Sequence, residues 1–316
     1  LKNILNRASI EALSPETAIN LRLMFQIDLL LKKVKPKVII VTYEGYAWER
    51  LVFMAAKKID PNIKCIGYHN SAIYYLQHSF QRSLSDSLDP DMILTTSKAT
   101  KRKLDENHKL NNDIRIEVLG STRMKNIANT VNSNSQFNNN KICMVLPEGI
   151  ISECEIMFRF SLLCAKKFPH IDFIWRLHPI ISFEKLQKDN KSFKNLPDNI
   201  IISKHTMDFD IERSNWAIYR GSTAIIQSLR KGVRPIYLEL ADEITVDSLY
   251  EIEDWKAVIG SVEGFGEIID EDPHDRQTMA KRQNAMDSCE KLITPVDYDV
   301  IKNIIHNIFS HEFELY

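Results

Sequence analysis

The sequence predicts an α/β protein of two doubly wound parallel-sheet domains facing a cleft. Three observations predict it. Short apolar runs alternate with amphipathic stretches along the whole chain, one Asn- and Ser-rich segment divides it, and both sides repeat the same order of apolar run, polar turn and amphipathic stretch. A length of 316 residues with 44% hydrophobic content leaves apolar material for two cores.

In the first half, VKPKVIIVTY (34–43) is a β-branched run of buried-strand type, and GYAWERLVFMAAKKI after it has helical periodicity. KCIGYHN (64–70), DMILTTS (91–97) and IRIEVLG (114–120) read as further strands. The segment 126–140, NIANTVNSNSQFNNN, is too polar to build a core and reads as a linker. In the second half, KICMVLPEG (141–149) opens with a strand and ISECEIMFRFSLLCAKKF reads as a helix. DFIWRLHP (172–179), NIIISKH (199–205), WAIYRGS (216–222) and VRPIYLEL (233–240) are strands. TAIIQSLRKG (223–232) is a helix closed by Gly232, and VDYDVIKNIIHNIF is an amphipathic last helix. The expected domains are therefore 1–125 and 141–295, joined by 126–140 and followed by the terminal helix segment 296–316.

Composition narrows the function. No apolar run approaches the ~20 residues of a membrane helix. The five cysteines at 65, 143, 154, 164 and 289 form no CxxC, as expected of free thiols in a reducing cytoplasm. The nine His form neither HExxH nor a Cys/His cluster, so no metal site is expected. Residues 1–135 carry 20 Lys and Arg against 13 Asp and Glu, and residues 136–316 carry 21 against 29. A basic front half suits an anionic acceptor or a peripheral contact with an anionic membrane surface, and a solvated surface of mixed sign explains it equally well. It lacks the basic stripe and motifs of a nucleic-acid binder.

In open α/β sheets ligands sit beyond the carboxyl ends of the strands, so the residues just after each strand carry the information. Glu44, in Tyr43-Glu44-Gly45, is placed for general-base work, or else for capping the next helix. Arg176, His178 and Pro179 end a strand. Alternation puts Arg176 and His178 on one side, where His178 suits a phosphate or a leaving group and Arg176 a phosphate or a carboxylate. Gly221, Ser222 and Thr223 lie between a strand and a helix, as N-caps or as anion-binding donors. Glu148 repeats the Glu-Gly pattern after the first strand of the second half. Glu239 ends a strand and suits ribose hydroxyls, and His69 and Asn70 suit an acceptor.

In this order the residues resemble the bacterial sialyltransferases of the GT-B glycosyltransferase fold and the related enzymes that transfer Kdo and similar sugars in capsule and lipopolysaccharide synthesis. GYAWER (45–50) and GYHNSA (67–72) are similar to segments of an O-antigen-type surface-carbohydrate biosynthesis family. The resemblance implies two Rossmann-like domains, with the terminal helix crossing back to the first. It implies Glu44 as general base, His178 contacting the phosphate and assisting departure of CMP, and Ser222 and Thr223 binding that phosphate. The implied donor is a CMP-sugar of an acidic 2-keto sugar, used as co-substrate with no resident cofactor or metal. The implied acceptor is a glycan or glycolipid, and the implied place the cytoplasm, peripheral to the inner membrane. The family has two acids before the Gly where this chain has Glu44 alone. Related transferases retain configuration through a carboxylate nucleophile, a role that would fall to Glu148. A nucleotide-sugar epimerase, a polyol-phosphate transferase and a non-catalytic nucleotide- or glycan-binding module are the alternatives on this fold.

Overall fold

The computed structural model describes residues 2–122, 124, 141–271 and 276–313, and the linker expected over 126–140 lies outside them. The chain divides into two compact units, one of Leu1–Ser71, Gln77–Lys125 and Leu292–Tyr316, the other of Ala72–Leu76 and Asn126–Lys291.

The first unit begins with two helices, α1 (Lys2–Ala12) and α2 (Pro15–Val34). Ser14 caps α2 by accepting from the Thr17 N–H at 3.3 Å, Pro15 supplies a preset φ, and Lys35 closes the helix in the left-handed region. Then follow β1 (Val38–Thr42), α3 (Ala47–Ile59), β2 (Lys64–Tyr68), β3 (Met92–Thr95), α4 (Lys98–Asp105) and β4 (Arg115–Val118). The four strands pair in parallel in the order β1-β2-β3-β4. Tyr43, Phe53, Phe80 and Ile93 are buried in this unit.

The second unit contains β5 (Ile142–Leu146), α5 (Ile151–Lys167), β6 (Asp172–Trp175), α6 (Phe183–Asp189), β7 (Ile200–Ile202) and α7 (Met207–Glu212). It continues with β8 (Trp216–Tyr219), α8 (Ala224–Arg230), β9 (Arg234–Leu238), β10 (Ala257–Ile259), α9 (Val262–Asp270) and α10 (Arg276–Glu290). The sheet is parallel throughout, in the order β10-β9-β8-β5-β6-β7. All five residues of β5 are buried, as expected of a central parallel strand with both faces covered. The core on the α5 side is aromatic: Trp175 stacks on Phe158 at 4.2 Å and meets Phe193 edge-on at 5.5 Å.

The last helix, α11 (Tyr298–Phe313), belongs to the first unit, as the terminal segment was expected to. Three backbone bonds tie its approach there: Thr294 N–H donates to Thr96 O, Ser121 N–H to Thr294 O and Asp297 N–H to Leu119 O, all at 2.8 Å. Among the described residues no helix is long and apolar enough to cross a membrane.

Candidate functional site

In the first unit the turn after β1 carries Glu44. The capping role open to Glu44 belongs instead to Glu49, whose carboxylate accepts from the backbone N–H of Glu44 at 2.9 Å and of Tyr46 at 2.8 Å. Burial raises the Glu49 pKa, and the backbone donors oppose that rise. Glu44 is thereby released from capping. Its side chain accepts from the Ser71 hydroxyl at 3.2 Å, and its carbonyl from the Ser79 hydroxyl at 2.6 Å. Gly45 has φ +84, and a Cβ there would fall 2.4 Å from the Phe80 nitrogen, so this turn admits only glycine.

His69 does not reach a ligand as expected: it is fully buried, stacked on Phe80 at 4.1 Å. Asn70 beside it is half-buried. Arg50, one turn into α3, is a residue the sequence reading missed. Its guanidinium pairs with buried Asp89 and donates to Ser79 O at 2.7 Å and Arg82 O at 3.0 Å, strapping down the segment that holds Glu44.

In the second unit β5 and β8 are neighbours, with Leu146 opposite Tyr219. From β5 the chain runs outward through β6 and β7, then returns to the other side of β5 with β8, so the order reverses between them. That switch point is where open α/β sheets take ligands. Three of the residues singled out from sequence, Glu148, His178 and Gly221, lie there. The Glu148 carboxylate lies against Gly221, where a Cβ would fall 1.3 Å from Oε1. His178 lies beside Gly149, where a Cβ would fall 3.0 Å from Nδ1. The loops after β5, β6 and β8 therefore converge on one place. The Tyr74 hydroxyl, missed by sequence, donates to Gly221 O at 2.5 Å, and the Ser248 hydroxyl to Ser222 O at 3.3 Å. His178 and Pro179 are exposed, and Glu148, Ser222 and Thr223 are half-buried.

Two expectations change in detail. Neither Ser222 nor Thr223 caps α8: Thr223 occupies the N-cap position in helical conformation and makes no side-chain cap bond, because its backbone has already turned helical. β6 ends at Trp175; the Arg176 N–H still donates to Val145 O at 3.1 Å, while His178 lies in the turn beyond, so strand alternation does not align the two. Arg176 pairs with a carboxylate, buried Asp210, and donates to Ser203 Oγ at 3.0 Å. Burial disfavours the charge on Asp210, but hydrogen bonds from Ser203, Arg213 and Arg176 outweigh it and hold the carboxyl below its ordinary range. Arg176 thus ties the end of β6 to the start of α7. Glu239 follows β9, exposed, with its N–H on Ile259 O at 2.8 Å.

Behind the switch point the charges are paired. Buried Arg220 donates to Glu153 at 2.8 Å and Glu243 at 2.5 Å. Asp247 accepts from the Tyr219 hydroxyl and from Lys256, both at 2.6 Å. Burial, then the Asp247 charge, raise the Tyr219 phenol far above its usual value, so it stays a donor. At the front lie the Glu148 carboxylate, the His178 imidazole and the Ser222 and Thr223 side chains around the Gly221 backbone. This set suits a ligand bearing hydroxyls and a phosphate. Among the described residues no group of three or more His, Cys, Asp or Glu is arranged to hold a metal ion.

No protein-family model matches the chain, and no curated protein matches it. Solved structures do. The S. aureus MnaA–UDP co-structure has a TM-score of 0.57 at 14% identity, over 95% of this chain and 82% of that one. The Methanocaldococcus jannaschii UDP-GlcNAc 2-epimerase with UDP-GlcNAc and UDP has a TM-score of 0.53 at 15% identity, over 85% and 80%. The glycosyltransferase SnogD from Streptomyces nogalater has a TM-score of 0.55 at 11% identity, over 88% and 75%. Such identities speak to fold alone, and with the two all-parallel sheets they show that the chain has the GT-B fold of two Rossmann-like domains.

Proposed function

We propose that the protein is a glycosyltransferase that takes its sugar from a nucleotide-sugar held at the switch point of the second unit. The observation that carries this is the seat formed by Glu148 on Gly221 with His178 beside Gly149. In this reading Glu148 and Glu239 accept from hydroxyls of the donor. His178, Ser222 and Thr223 donate to the phosphate beside the Gly221 backbone, with Pro179 fixing the His178 turn. Arg176, paired with Asp210, fixes the chain just before the His178 turn. Glu44 takes the proton of the acceptor hydroxyl as its oxygen bonds to the anomeric carbon and the bond to the donor phosphate breaks.

For the donor we carry forward the CMP-activated acidic 2-keto sugar implied by the motifs, with a surface glycan or glycolipid as acceptor at the cytoplasmic side of the membrane. The competing reading is a nucleotide-sugar epimerase. It is favoured by the likeness to structures whose titles name UDP and UDP-GlcNAc. Product analysis separates the two. Incubation with CMP-N-acetylneuraminic acid or UDP-GlcNAc, with and without a glycan acceptor panel, should release nucleotide and form a glycoside only when acceptor is present. A new sugar epimer formed without acceptor would replace transfer by epimerisation.

A further inference from the structure

The turn bearing Glu44 is held from four directions, and three of the holders are assigned above: Glu49 on its N–H, Ser79 on its carbonyl and Ser71 on its side chain. The fourth acts one residue earlier. His69 Nδ1 lies 3.0 Å from Tyr43 O. A carbonyl only accepts, so Nδ1 carries the proton and Nε2 is the bare nitrogen. That Nε2 is buried and finds no hydrogen-bond partner among the described residues. An orphaned acceptor costs stability, and a phenylalanine would fill the same space without it. What the imidazole adds over a phenyl ring is a single donor aimed at the peptide group preceding Glu44.

The rest of the surroundings lock that donor in place. The ring stacks on Phe80 with an interplanar angle of 13°, and the Phe80 backbone closes against Gly45 on the far side of the turn. Burial lowers the His69 pKa to about 4, against the opposing pull of the Tyr43 carbonyl and the Glu44 charge. One tautomer therefore persists across the neutral range.

We infer that His69 is a positioning residue for Glu44, its Nδ1–H fixing the Tyr43 carbonyl so that the carboxylate keeps one direction beside Ser71. The inference rests on Glu44 being the general base.

The experiment compares His69→Phe, which keeps the stack and loses the donor, with His69→Asn, whose amide nitrogen replaces Nδ1, and with Glu44→Gln. Nucleotide release is followed from CMP-N-acetylneuraminic acid or UDP-GlcNAc, whichever the protein turns over. His69→Phe should lower kcat by ten- to a hundredfold, with acceptor KM and nucleotide affinity within about threefold of wild type, and His69→Asn should restore most of the loss. Full kcat in His69→Phe beside an inactive Glu44→Gln overturns the inference alone. Full activity in Glu44→Gln removes the base assignment and the inference with it. Ring 15N shifts of the wild-type protein need neither substrate nor variant: they should report Nδ1–H from pH 5 to 8. An Nε2–H tautomer, or a ring titrating near 6.5, would overturn the inference.

Discussion

Replacing Arg50 by Met should destabilise the first unit by about 3–5 kcal/mol, the cost of breaking a buried ion pair from one side. The magnitude follows from what is stranded. The Arg50 and Asp89 side chains are 4% and 5% exposed, so neither charge regains water when its partner is removed. The Asp89 carboxylate would keep only the Leu84 N–H, at 2.9 Å, and the carbonyls of Ser79 and Arg82 would lose their donor. Asp89→Leu should cost a similar amount. The double variant Arg50→Met/Asp89→Leu should cost clearly less than the two singles together, because apolar side chains of like volume tolerate the burial that a lone charge does not. Urea unfolding of the four proteins, followed by far-UV circular dichroism and fitted to separate transitions for the two units, measures the cycle. A single variant costing under 1 kcal/mol, or costs that simply add, would refute the strap. The same strap supports Ser79, whose hydroxyl holds the Glu44 carbonyl, so Arg50→Met should also slow transfer while leaving nucleotide affinity unchanged.

Two further outcomes follow from the structure. The His69 pKa is lowered from 6.5 to about 4, so the unfolded chain takes up that proton first. Stability should fall as pH drops below about 6.5 and level off below about 4, a loss of about 3 kcal/mol, and the wild-type minus His69→Asn difference curve isolates it; a flat difference curve would contradict the burial argument. Gly221→Ala should leave the fold intact but displace the Glu148 carboxylate. Losing one hydrogen bond to a charged group, ~1.5–3 kcal/mol, weakens nucleotide binding about tenfold or more, and unchanged affinity by calorimetry would count against Glu148 as a ligand.

The strands that end at candidate residues were legible because apolar runs such as Val38–Thr42 and Ile142–Leu146 stop at polar turns; Ile142–Leu146 is buried whole, whereas Val38–Thr42, read from sequence as a buried strand, is the edge of its sheet and buries only Val41. So was the grouping of Glu148, His178 and Gly221, since carboxyl ends of parallel strands lie side by side. What escaped was tertiary. Glu49 caps from a turn whose N-cap residue is Tyr46, a poor sequence signal for a helix start. Arg50 and Asp89 are 39 residues apart and nothing local marks them as partners. β10 has only three residues and was invisible as a periodicity. Of the two partners open to Arg176, a phosphate or a carboxylate, the fold supplies the carboxylate of Asp210, 34 residues away, and nothing local marks that residue.

The measurement that tests the central claim most directly is a thermal-shift titration with CMP, UMP, GMP and their diphosphates, on wild type and on Glu148→Gln and His178→Ala. Binding at the switch point should raise the melting temperature of wild type by an amount equivalent to ~2.7 kcal/mol at a hundredfold excess over Kd, and much less in both variants. Selectivity for CMP would support the CMP-activated donor, and selectivity for UDP would replace it with a UDP-sugar. No shift with any nucleotide, or an equal shift in all three proteins, would contradict a nucleotide-sugar seat built by Glu148 and His178.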